Sequence, residues 1–124
     1  MDPTPSEFVI RSTSIDALIA DGTAETAEVD LAGTSLTAIV VPSGWTAANL
    51  TFQVSADGTT YADLYSATGS EYVVDVPSGG DCAITVPPLD FEGFRRMKVR
   101  SGTSGTPVNQ TGAKTLTLIC RPTF

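Results

Sequence analysis

The sequence contains no histidine and only two cysteines. Without histidine the usual general base at neutral pH is missing, and with it every Ser-His or Cys-His arrangement for nucleophilic catalysis. Zinc sites built on His or on Cys-x-x-Cys are excluded on the same ground. Basic residues are also scarce: seven stand against fourteen acidic ones, for a net charge of −7. Such a balance argues against nucleic acid as a partner. Long apolar runs are missing as well, so nothing in the sequence spans a membrane, and no secretory-type apolar run follows Met1. The expectation is a protein made in the cytoplasm with no membrane partner. In that setting Cys82 and Cys120 read as reduced core thiols, the first sharing a strand face with Ile84 and Val86, the second with Leu116 and Leu118.

What the chain does contain is the material of a β domain. Its 124 residues suffice for one domain that buries roughly 65% of the surface of the unfolded chain. Eleven glycines and eight prolines, with abundant Ser and Thr, punctuate it at short intervals. The most legible stretch is residues 50–65, where Leu50, Phe52 and Val54 alternate with Thr51, Gln53 and Ser55. That is the period of a strand with one dry face. Asp57-Gly58 supplies a turn, and Tyr61, Leu64 and Tyr65 resume the apolar pattern, which predicts a hairpin.

The rest reads as strands around this hairpin. Residues 1–14 carry two prolines and the apolar trio Phe8, Val9 and Ile10, and are expected to form an arm. Ile15, Leu18 and Ile19 have the spacing of a helical turn, whereas residues 27–31 alternate as a strand. Residues 36–41 are apolar on both faces, as in a central strand. Further strands are expected at 72–76, 82–86, 96–100 and 114–121, with residues 89–94 as a one-turn connector that pins Phe91 and Phe94 to the core. The fold class is therefore all-β: an antiparallel two-sheet sandwich, jelly-roll-like, of about eight strands over residues 15–124, with an extended N-terminal arm.

Charge is divided along the chain. Residues 1–94 hold all fourteen acidic residues and one basic residue, a balance of −13, whereas residues 95–124 hold six basic residues and none acidic, a balance of +6. In residues 96–100, Met97 and Val99 point one way and Arg96, Lys98 and Arg100 the other, with Arg95 beside them. This basic stripe either pairs across strands with Glu71 and Asp75 or docks onto an acidic surface of a partner or of another copy. The arm has the same two readings, a strap on its own domain or a reach to a neighbouring subunit through Phe8 and Ile10. Trp45, the single tryptophan, either caps the end of the core or stacks on a ligand. Asp57, Thr59 and Asp63 offer oxygens to calcium, but the EF-hand spacing is absent and Asp57-Gly58 has a turn to make. No pair of carboxylates is singled out as a glycosidase dyad. Neither catalysis nor a cofactor nor a metal is expected.

Three features together resemble the decoration or cement proteins of tailed-bacteriophage capsids: the start with an arm, the run GWTAANLTFQVSADGTTYADLY at 44–65, and the ending FRRMKVRSGTSGTPVNQ followed by TLTL. The resemblance implies a jelly-roll-like protomer, commonly a homotrimer. It would bind the outside of a capsid, bridge neighbouring major capsid proteins, and have no catalytic residues. It places the protein on the virion exterior, with Phe8, Ile10, Arg95, Arg96, Lys98 and Arg100 as the residues expected to contact other chains. The run Ser55-Ala56-Asp57-Gly58-Thr59-Thr60-Tyr61 is also similar to a hairpin of galactose-binding-like and discoidin-like sandwiches. That likeness implies a carbohydrate-binding module with Trp45, Tyr61, Tyr65 or Tyr72 as stacking platforms.

Overall fold

A computed structural model of the chain describes residues 12–122. Eight strands alternate with turns: β1 (Thr13–Ile19), β2 (Val29–Asp30), β3 (Thr34–Trp45), β4 (Leu50–Ser55), β5 (Ala62–Asp63), β6 (Gly79–Thr85), β7 (Arg96–Ser101) and β8 (Lys114–Pro122). They form two four-stranded sheets, ordered β1-β8-β3-β6 and β2-β7-β4-β5, with every pairing antiparallel. The first strand pairs with the last, the second with the seventh, the third with the sixth and the fourth with the fifth. This is a long two-stranded ribbon rolled up so that β3 meets β8 and β4 meets β7, the order of a jelly roll.

Register explains which residues make the core, because directly opposed residues share a face. In the first sheet Ile15, Leu118, Ile39 and Ile84 form one inward row, and Ala17 with Leu116 another. In the second, Val29, Met97 and Val54 form a row beside Phe52 and Val99. Phe52, Phe91 and Tyr72 meet edge to face, with centroids 5.2 to 6.0 Å apart. Phe91 arrives on a 3₁₀ turn, Pro88–Phe91, which is the expected connector. Cys120 is buried and Cys82 half-buried, and both are free thiols; burial pushes the Cys120 thiol above its usual range.

Four expectations give way. Ile15, Leu18 and Ile19 lie on a strand, because seven residues of β1 pair with β8 and this ladder outweighs a helix-like spacing. Ile15, Ala17 and Ile19 therefore face inward and Leu18 stands 52% exposed. Residues 72–76 form no regular strand. β5 takes the Gln53–Val54 part of the β4 edge, so this segment reaches the sheet only through the single bridge Leu50–Val74. Its alternation is nonetheless as expected, with Val74 buried and Val73 exposed. The hairpin after β4 is present, but its returning strand is only Ala62–Asp63. Thr13 and Ser14, assigned to the arm on sequence, begin β1.

Gly80 fixes how tightly the ribbon is rolled. It has a φ of +66°, and a Cβ there would lie 2.4 Å from the Pro42 carbonyl oxygen and 2.7 Å from Trp45 Cβ. Only glycine lets β6 pass the irregular end of β3 this closely.

Candidate functional site

The basic stripe lies where alternation put it, on the outer face of the second sheet, but its cations are held within the chain. Arg100 is only 6% exposed. Its Nε donates to Thr51 Oγ1 at 3.0 Å, and one terminal nitrogen donates to Asp63 Oδ1 at 3.0 Å and to Glu71 Oε2 at 2.9 Å. Glu25 stands 4.0 Å from the other terminal nitrogen. Glu71 in turn accepts from the backbone N–H of Ser104. One arginine thus ties together the β1–β2 connection, β5, the segment after it and the loop after β7. A planar fork with several donors suits such a junction.

Arg96 donates to Glu28 Oε1 at 2.7 Å and stands 4.0 Å from Asp30. The other oxygen of Glu28 accepts from the Tyr61 hydroxyl at 2.6 Å, and Lys98 Nζ sits 4.6 Å from the centroid of the Tyr61 ring. The hydrogen bond from Tyr61, with help from Arg96, holds the Glu28 carboxyl below its usual range. Burial and the Glu28 contact push the Tyr61 hydroxyl up to about 12. The stripe is thus neutralised by Glu71, as the cross-strand reading expected, and by Glu25, Glu28, Asp30 and Asp63. Asp75 has no part in it. Arg95 is exposed and forms no ion pair among the described residues.

Of the aromatic residues, Trp45 is buried and donates its Nε1–H to the Ala48 carbonyl at 2.9 Å, closing one end of the core. Tyr61 has one ring face beneath Lys98. The Tyr72 hydroxyl donates to Asp90 at 2.8 Å, and its ring packs on Phe52 and Phe91. Tyr65 is 54% exposed, beside a hollow of about 140 Å³ that it shares with Tyr72 and Asp90. Of the three calcium candidates, Asp57 and Thr59 meet only within their own turn, and Asp63 is turned to Arg100. Asp57 Oδ1 accepts from Ser55 Oγ and from the N–H groups of Thr59 and Thr60, which holds the Asp57 carboxyl well below its usual range, while Asp63 serves Arg100. Among the described residues no group of three His, Cys, Asp or Glu side chains is arranged to hold a metal. Phe8 and Ile10 lie outside the described residues.

The outer face of the first sheet is of another kind. Thr117, Val40 and Ala83 form one row across β8, β3 and β6, and Ile119, Ala38 and Thr85 the next. Asp16 and Ser14 continue the two rows onto β1, and Leu18 lies opposite Thr115. Across four strands this face carries β-branched and small side chains, with ionic groups only at its margins, Asp16, Asp81 and Arg121. Sequence reading missed it because it attended to charged positions, although the outward positions of residues 36–41 and 114–121 already spelled it out. It also missed Gln110, a buried clamp whose amide joins the Thr46 backbone to Ser101 Oγ and so holds the long loop after β7. No family model, curated protein or solved structure matches this chain.

Proposed function

We propose that this chain is a structural, non-enzymatic protein that binds the outside of a tailed-phage capsid as an oligomer and stabilises it by bridging neighbouring major capsid proteins. The observation that carries the reading is the outer face of the first sheet. An acidic domain with a net charge of −7 leaves four adjacent strands almost free of charge on their solvent side. An almost uncharged surface of small and β-branched side chains packs against another protein with little desolvation cost. The jelly-roll order of the strands agrees with what the resemblance at 44–65 and 94–118 implies. Binding to the assembled shell and not to its separated subunits stabilises the shell by mass action, and several contacts per oligomer add avidity.

The test is co-sedimentation with empty shells assembled from the major capsid protein encoded in the same genome. Saturable binding at a fixed ratio, with a rise in the shell's disruption temperature, is the expected result. Absence of binding to shells that are intact by microscopy overturns the reading. The glycan alternative retains Tyr65 and its hollow as a platform, and a sugar screen read by quenching of tyrosine fluorescence checks it.

A further inference from the structure

Among the described residues the sandwich is open along one side. β1 is an edge strand of the first sheet and β2 an edge strand of the second, and a groove of about 510 Å³ runs between them. Three consecutive β1 residues, Asp16, Ala17 and Leu18, line it. Because neighbouring side chains on a strand point to opposite faces, this lining means that the groove follows the outer edge of β1. Among the described residues no backbone hydrogen bond joins that edge to another strand. An unpaired strand edge is a template for one more strand. Ala17, Ala20, Ala27 and Val29 give the groove a shallow apolar lining; of its three carboxylates, Glu25 and Glu28 already serve Arg100 and Arg96, and Asp16 has no ion pair among the described residues. The matching ligand is an extended segment with large apolar side chains on one side and a cation.

The chain carries such a segment. In an extended strand Phe8 and Ile10 fall on one side and Val9 and Arg11 on the other, and Arg11 is the only base before Arg95. We infer that the N-terminal arm of a second copy docks in this groove as an added antiparallel strand, with Arg11 opposite Asp16, Ile10 opposite Ala17, Val9 opposite Leu18 and Phe8 opposite Ile19. In this register Ile10 and Phe8 meet Ala17 and Ile19 on the inward side, and on the outer side Arg11 meets the Asp16 carboxylate and Val9 meets the exposed Leu18.

A copy's own arm cannot adopt this register. Pairing Arg11 with Asp16 within one chain would require residues 12–15 to form the loop, but Thr13 to Ile15 are extended in β1 and paired with Cys120 to Leu118. The tightest turn left, at residues 11–12, would set Glu7 against Asp16 and Pro5, which has no N–H, against Leu18, and any longer loop ending at Ser12 shifts the pairing further from this register. Arg-Ser also lacks the residues that favour the positive φ of such a turn. Reach to a neighbour is ample, since eleven extended residues span up to about 36 Å, against a radius of gyration of about 14 Å for a domain of this length.

The contact would supply the oligomer that the capsid-bridging reading calls for, yet it is read on the chain alone, so failure of shell binding and failure of arm exchange are separate results. The experiment is light scattering on the full chain and three sets of variants, with circular dichroism confirming that each is folded. The wild type is expected at a multiple of 12.9 kDa, and the arm variant Phe8→Ser with Ile10→Ser at 12.9 kDa. The groove variant Asp16→Arg with Leu18→Lys is also expected at the single-chain mass. Mixing arm and groove variants restores a two-chain species, because one brings an intact groove and the other an intact arm. Arg11→Glu alone dissociates the oligomer, and adding Asp16→Arg restores it. A wild type that stays monomeric to its solubility limit overturns the inference. So does an arm variant of unchanged mass, a mixture that does not associate, or a charge swap that fails to rescue.

Discussion

The outer faces of the two sheets are built from the same alternation and end up chemically opposite. On the second sheet, Arg96, Lys98 and Arg100 face out and meet Glu28, Asp30, Tyr61, Asp63 and Glu71, so the charges are spent inside the chain. On the first, Thr117, Val40, Ala83, Ile119, Ala38 and Thr85 face out with no ionic partner to find. The difference teaches that a row of charges is poor evidence of a docking surface when carboxylates lie elsewhere in the same chain. The face without charge is the one whose composition is left unexplained by the fold itself.

The comparison breaks most readily at Arg100. Replacing it with Ala leaves Glu25, Asp63 and Glu71 facing one another without a cation, and the expected loss of stability is about 3–5 kcal/mol by urea denaturation. Arg100→Lys should recover only part of this, because an ammonium cannot span the fork. A loss below about 1 kcal/mol for Arg100→Ala would mean that the cluster is solvated and the two faces differ less than their geometry indicates.

Next in size is an alkaline effect to which the charged face contributes through Tyr61, beside a second contribution from Tyr72, whose hydroxyl is raised by burial and Asp90. The Tyr61 hydroxyl is pushed up to about 12 in the fold, against about 10 when unfolded. Between those values the unfolded state binds fewer protons, so stability falls as pH rises from about 10 through 12. Tyr61→Phe should make the fall over that window shallower, with the Tyr72 part remaining, and an unchanged profile would disconnect Tyr61 from it. Lys98→Ala removes the cation over the same ring and should cost about 0.5–1 kcal/mol. Smallest is Thr117→Lys on the neutral face, expected within about 0.5 kcal/mol of wild type in stability, yet expected to weaken shell binding. Shell occupancy equal to wild type would remove this face from the proposed contact.

Much of the sandwich was legible in the sequence because period-two alternation and turn residues are local signals. The strand Leu50–Ser55, the Asp57-Gly58 turn, the central strand through residues 36–41 and the Phe91 anchor were all readable from neighbours in the chain. β1 is ambiguous because Ile15, Leu18 and Ile19 have helical spacing while Ile15, Ala17 and Ile19 have that of a strand, and only the ladder with β8, about a hundred residues away, decides between them. Residues 72–76 had the right alternation, but whether a strand forms depends on how much edge is vacant, and β5 leaves only the Leu50 end of β4 for Val74.

The sequence by itself determined the all-β class, the inward and outward sides of most strands, and the lack of histidine chemistry, since each follows from residue type and spacing alone. Only the tertiary structure decided that Arg100 is buried among three carboxylates, that Trp45 closes the core, and that β1 and β2 leave a groove between two sheet edges. The physical reason is the ribbon's pairing of first strand with last and second with seventh. It brings together charges and edges that lie far apart in the chain, and no local pattern encodes which distant carboxylate an arginine will meet.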